Sequence, residues 1–133
     1  STGLSYYWDL NDETRGFATR FAARMSGQYP EETHAGAYAG ALHLLKAMEA
    51  AGSVSGKDIV AKMKELPVND FYNKDVKVRE DGRVMHPFYL SEVKDAAGSR
   101  EPYDVFKVLR TIPAEEAFQS LDQSTCPLVR RRS

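Results

Sequence analysis

The apolar residues of this chain recur first at a helical spacing and then, past its middle, at the spacing of a strand. Gly3-Leu4-Ser5-Tyr6-Tyr7-Trp8 is an aromatic-rich run closed by Asp9-Leu10-Asn11-Asp12, which predicts a strand stopping at polar turn residues. Tyr6 and Tyr7 would then point to opposite faces. Asn11 or Asp12 can cap a helix in which Phe17, Phe21 and Met25 repeat every four residues, and Gly27 supplies its stop. Pro30-Glu31-Glu32 opens a second helix, because proline is tolerated in a first turn and carboxylates suit the positive end of the helix dipole. That helix runs to about Ala51. Ala35, Tyr38, Leu42 and Leu45 share one face, and Ala37, Gly40, Ala41 and Leu44 form a slim flank, so burial on more than one side is expected. Ser55-Gly56-Lys57-Asp58 has capping-box spacing ahead of Ile59, Val60, Met63 and Leu66, and Pro67 ends the third helix.

Beyond Pro67 the period falls to two. Val76 and Val78 alternate with charged residues, and Glu80-Asp81-Gly82-Arg83 marks a turn. Phe88 to Val93 reads as a second strand and Gly98 to Pro102 as a loop. Tyr103 to Ile112 reads as a third strand, apolar on both faces and therefore of the interior kind. Pro113 to Leu121 offers one short helix. A doubly covered strand needs partners on both edges. The elements therefore predict an α/β chain whose remaining strands lie in further sequence, or else a compact α+β domain that pairs its own short sheet.

Composition narrows the function classes. With 18 basic and 19 acidic side chains in 133 residues the net charge is -1, so no field of one sign gathers phosphates, and nucleic acid is not an expected partner. Arg130-Arg131-Arg132 reads as a solvated terminus. No apolar stretch reaches the ~20 residues of a membrane helix. Cys126 is the only cysteine, either a free thiol or half of a bridge to residues outside this chain. Catalytic patterns fail one by one. Gly52-Ser53-Val54-Ser55-Gly56 puts Val54 where a nucleophile elbow needs serine. Glu31-x-x-His34 lacks the second such pair of a di-metal helix site, and His34 and His43, nine positions apart, fall on opposite sides of one helix. No glycine-rich nucleotide loop is present. Neither an enzyme, a metal site nor a cofactor is implied.

Two places gather polar and aromatic residues at element ends, where open α/β folds build binding sites. One is Tyr6-Tyr7-Trp8-Asp9 with Asn11. The other is Thr33-His34 with Tyr38, where the free amides of a helix start favour an anionic group. Tyr38 on an apolar face is equally readable as core, and His34 in a first turn as solvent-exposed.

The order Tyr6-Tyr7-Trp8-Asp9-Leu10-Asn11-Asp12, Ala35-Gly36-Ala37-Tyr38-Ala39, Asp81-Gly82-Arg83-x-x-His86-Pro87-x-Tyr89-Leu90, Tyr103-Asp104-x-Phe106 and Cys126-Pro127-Leu128-Val129 spans nearly the whole chain. It resembles the C-terminal third of the periplasmic solute-binding proteins of ABC importers, in the branched-chain amino acid binding (type I) family. The resemblance implies part of a two-lobed α/β fold. Residues 1–10 would be a hinge strand leaving the C-terminal lobe, 11–84 the helical completion of the N-terminal lobe, and 85–133 the hinge return and terminal strands. Leu10 and Met85-His86 would flex. It implies Thr33 and His34 as ligand contacts, Tyr7 and Asp9 next, and Tyr38 as support. It also implies a small-molecule ligand such as an amino acid or aromatic acid, a membrane permease, the remainder of the same polypeptide as partners, and a periplasmic setting. A receptor's sensing domain would share the same fold.

Overall fold

The computed structural model describes residues 1–129, so the arginine run from Arg130 lies outside the described residues. The chain forms two compact units, Ser1–Ala37 with Pro87–Ile112, and Tyr38–His86 with the segment from Pro113 onward.

The first unit holds a three-stranded antiparallel sheet, β1 (Thr2–Leu4), β2 (Phe88–Val93) and β3 (Phe106–Ile112), with β2 in the middle. Thr2 faces Ser91 and Leu4 faces Tyr89 across the first pair; Phe88 faces Ile112 and Val93 faces Phe106 across the second. The second register shifts between Leu90 and Ser91, where Arg110 and Val108 are the partners and Leu109 is the extra residue of a bulge. β1 is much shorter than the run Gly3 to Trp8 predicts. Its ladder stops because the Ser5 N–H and hydroxyl both donate to the Glu32 carboxylate, the hydroxyl at 2.7 Å. Tyr6, Tyr7 and Trp8 lie beyond the end of the strand and are all buried.

β3 also corrects its prediction. Tyr103, Asp104 and Val105 precede it as turn and loop, and among the described residues it is an edge strand with Leu109 exposed. Its second edge has no partner among the described residues.

Helix α1 (Asp12–Arg24) starts as its sequence predicts. Asn11 Oδ1 accepts from Glu13 and Thr14 N–H at 3.0 Å each, and Thr14 Oγ1 accepts from Asn11 N–H at 3.0 Å, closing a capping box. Gly27, with φ of 83°, donates to Ala22 O at the other end. Thr14, Phe17 and Ala18 are its buried face; Met25 at the C-cap is exposed.

Helix α2 (Glu32–Ala51) begins in the first unit and continues in the second. Its buried stripe is Ala35, Ala39, His43 and Ala47, spaced four apart, while Tyr38 is 46% and Leu45 61% exposed. The expected burial on more than one side is thus confined to this stripe in the chain as it stands.

In the second unit His43 Nε2 donates to Met63 O at 2.8 Å, on α3 (Gly56–Glu65). The predicted Ser55 capping box does not form. Ser53 links the loop to the helix, its hydroxyl donating to Asp58 at 2.9 Å and accepting from Ser55 N–H at 3.1 Å. Ile59 is buried and Val60 exposed. Val68, Val76 and Val78 make a small core over which Val84 packs, joined by the bridges Val68–Val76 and Val78–Val84. The turn between them uses Gly82 at φ of 83°, where a side chain would be strained. Asp81 braces it by taking both Arg79 Nε and Nη2, at 3.0 and 2.7 Å. The short α4 (Ala114–Ala117) and a 3-10 turn, Leu121–Gln123, follow.

Candidate functional site

Three stretches of the first unit enclose a cavity of about 340 Å3: Leu4 with Tyr6 to Trp8, Tyr29 to Thr33, and Tyr103 with Val105 and Phe106. Each arrives for a local reason. The Glu32 bond to Ser5 turns the chain out of β1 and sets three aromatic side chains inward. Gly27 ends the turn after α1, so Tyr29 and Pro30 follow at the entrance of α2. Tyr103 to Phe106 are held by what Tyr7 and Trp8 donate: the Tyr103 carbonyl accepts from Trp8 Nε1 at 2.8 Å and from the Tyr7 hydroxyl at 3.2 Å. The same hydroxyl accepts from Phe106 N–H at 3.3 Å.

The rings form a continuous series. Phe106 meets Tyr7 edge-on at 5.7 Å, Tyr7 meets Trp8 at 5.9 Å, Trp8 meets Tyr29 edge-on at 4.9 Å, and Tyr29 stacks on Tyr103 at 4.7 Å with planes 7° apart. Such offset and edge-to-face pairs are the favoured geometries of aromatic quadrupoles. Burial pushes the Tyr7 phenol up from its ordinary value, against the Phe106 amide, which pulls it down, so it is a neutral donor at physiological pH.

Behind this wall lies an ion cluster that the sequence did not single out for chemistry. Asp104 is fully buried and accepts from Lys94 Nζ at 2.5 Å and from Arg100 N–H and Nε at 3.0 and 2.9 Å. The Arg100 guanidinium, then the Lys94 ammonium, hold its carboxyl well below the usual carboxylate range. Arg100 reaches on to Asp9 at 2.9 Å, and the other Asp9 oxygen takes Arg15 at 2.8 Å. The cluster ties the loop between β2 and β3 to the segment after β1. Its only signal in the sequence was the Tyr103-Asp104-x-Phe106 pattern, because Lys94, Arg100 and Asp9 lie too far apart to read as one group.

Of the five residues singled out from sequence, Tyr7 and Thr33 line the cavity. Asp9 stands in the ion cluster, both oxygens engaged by arginines. His34 is exposed and does not line the cavity; its Nδ1 accepts from the Glu31 N–H at 3.1 Å, half of a capping box, and its ring rests 5.0 Å from Phe21. Tyr38 belongs to the second unit, where it meets Phe71 edge-on at 5.4 Å. Trp8 stood in a candidate place without being named as a contact, and Tyr29 and Tyr103 are the wall residues that sequence reasoning passed over. The helix ladder begins with Ala35 N–H donating to Glu31 O at 3.1 Å, so the amides of Glu32, Thr33 and His34 precede it, at the positive end of the dipole.

Among the described residues no helix is long and apolar enough to cross a membrane, and no group of three or more His, Cys, Asp and Glu could hold a metal ion. The arrangement contains an apolar cavity, an open helix start and no nucleophile beside a base.

Comparison with known proteins agrees with this picture. A family model described as periplasmic binding protein matches residues 1–99. Among solved structures, a periplasmic binding protein from Burkholderia mallei superposes with a TM-score of 0.91 at 36% identity, over 96% of this chain and 34% of the other. A branched chain amino acid ABC transporter periplasmic ligand-binding protein from Burkholderia xenovorans LB400 gives 0.90 at 34% identity, over 96% and 34%. An amino acid ABC transporter substrate-binding protein from Pseudomonas fluorescens Pf-5 shares the fold, with a TM-score of 0.72 at 22% identity, over 93% and 32%. No curated protein sequence matches. The chain spans about a third of the length of these solved relatives, so its mixed helices and three-stranded sheet are part of a two-lobed type I periplasmic-binding-protein fold. With a matching family model over most of its length and two relatives above 30% identity, the chain belongs to the periplasmic binding protein family, and its setting is the periplasm.

Proposed function

We propose that this chain supplies one wall of the ligand cleft of a solute-binding protein that serves an ABC importer. The whole polypeptide captures a small molecule, such as an amino acid or aromatic carboxylate, by lobe closure and passes it to the membrane permease. The observation that carries this reading is the cavity of about 340 Å3 between Trp8, Tyr29, Thr33 and Tyr103, near the lower end of the ~300–1,000 Å3 of small-molecule pockets. The names of the relatives support the amino-acid class, and the absence of a nucleophile–base pair at the cavity supports binding without turnover.

In this reading Thr33 offers its hydroxyl to the ligand beside the open amides of α2, Tyr7 forms the floor, and Asp9 holds the floor through Arg100. His34 borders the ligand from the helix start, and Tyr38 supports the helix. The exposed apolar side chains of α2, Leu44 and Leu45 among them, then meet the remainder of the same polypeptide. Leu10 and the Met85-His86 region are the hinges between residues 1–10, 11–84 and 85–133; a boundary between compact units at His86–Pro87 supports the second hinge. Closure is a population shift: the ligand touches both lobes only in the closed state, and the permease reads that state.

A thermal-shift screen of the whole polypeptide against amino acids and aromatic acids tests the reading. A true ligand raises Tm in a concentration-dependent way without being consumed. Thr33→Ala and His34→Ala that both leave its affinity unchanged would remove the head of α2 from the site. The isolated 133-residue chain, with one wall only, is expected to bind weakly or not at all.

A further inference from the structure

The surface that this cavity offers is selective in a way the family relationship does not specify. Trp8 Nε1 and the Tyr7 hydroxyl are both engaged by the Tyr103 carbonyl, so these side chains present ring faces and edges and no free donor. Glu31 and Glu32 are the only charged residues in the lining, and the Glu32 carboxylate is taken by Ser5. No Lys, Arg or His lines the space, so an anionic group has no ionic partner inside it.

We infer that the space beside Trp8, Tyr29 and Tyr103 receives an aromatic ring of the ligand, making the substrates aryl-bearing amino acids or aryl carboxylates in preference to aliphatic ones. The inference rests on the reading of this cavity as a ligand wall. A ligand ring extends the existing series of ring pairs, whose centroids lie 4.7 to 5.9 Å apart, and aligns its quadrupole with theirs. A branched aliphatic group gains dispersion contact but not that alignment. Each ring pair gained is equivalent to about 2- to 10-fold in affinity. The carboxylate stays outside the space, away from Glu31.

Calorimetric titration of the whole polypeptide with two matched pairs tests this: L-phenylalanine against L-leucine, and phenylacetate against 4-methylpentanoate. The aryl member of at least one pair is expected to bind about fivefold or more tightly than its aliphatic partner, and which pair binds tells whether an ammonium group is required. Tyr29 is only half-buried, so Tyr29→Leu should fold, and it should bring that ratio close to one while Tyr29→Phe keeps it. An aliphatic member binding as tightly as its aryl partner, with both weakened by Tyr29→Leu, would keep the wall and overturn the ring. A ring preference that survives Tyr29→Leu would also overturn it. Binding of all four probes that is absent, or indifferent to Tyr29→Leu, would remove the ligand-wall reading and the inference with it.

Discussion

Tyr6–Trp8, with Asp9 behind them, and Glu31–Thr33, with His34 next to them, border the same cavity, yet the two segments are built in opposite ways. In the first, the polar ends are closed inside the protein: Tyr7 on Tyr103 and Phe106, Trp8 on Tyr103, Asp9 on Arg15 and Arg100. In the second, Glu31, Thr33 and His34 are exposed, and the amides of Glu32, Thr33 and His34 precede the helix ladder. A satisfied, buried segment fixes shape, whereas an exposed one with unladdered donors can exchange water for a ligand. In the proposed reading the first segment is scaffold and the second recognises the ligand.

If that division is right, stability and affinity should separate between the two. The largest effect is expected at Asp104→Asn, which removes the buried negative charge that faces Lys94 and Arg100 and one of its two acceptor oxygens. The melting temperature of the whole polypeptide should fall by on the order of 5–10 °C in calorimetry. Acid should act on the same cluster. A carboxyl held below its ordinary value stabilises the fold fully above the unfolded value of about 3.9, and that contribution is lost as pH falls. Asp81, held down at about 2 by Arg79, loses its share between about pH 4 and pH 2 in the same way. Tm measured from pH 7 to pH 3 should therefore drop at the acid end, and by less in Asp104→Asn. Tyr7→Phe comes next, removing one donor and one acceptor at a cost of about 1 kcal/mol in denaturant unfolding.

At the other segment the effects on stability are smaller. His34→Ala removes the acceptor for Glu31 N–H and should cost about 0.5–1 kcal/mol, which His34→Asn should partly restore. Thr33→Val should change stability by no more than about 0.5 kcal/mol while weakening the ligand about 3- to 10-fold by calorimetry. A Thr33 variant that unfolds the protein and leaves affinity alone would invert the comparison.

Local signals in the sequence carried most of the elements and less of the wall. The cap of α1, the stop at Gly27 and the span Phe88–Val93 were legible because each depends on neighbours a few residues apart. β1 ended early because its competitor is Glu32, whose position no pattern within Gly3 to Trp8 reveals. The Ser55 capping box failed because Asp58 takes the Ser53 hydroxyl and that same hydroxyl takes the Ser55 N–H, a pairing from two residues upstream of the predicted box. Thr33 and Tyr7 were found from their places at element ends. Tyr29 and Tyr103 were not, since their stacking joins stretches more than 70 residues apart. His34 was chosen for its position in the first turn, and the same position is what lets it cap the helix.

The most direct test of the division between scaffold and recognition is amide hydrogen exchange of the whole polypeptide, with and without the tightest ligand of the screen. Slower exchange at Glu32, Thr33 and His34 on binding, with the Phe106 amide that the Tyr7 hydroxyl holds little changed, is the expected result. Unchanged exchange at those three amides, with new protection confined to segments outside this cavity, would contradict it.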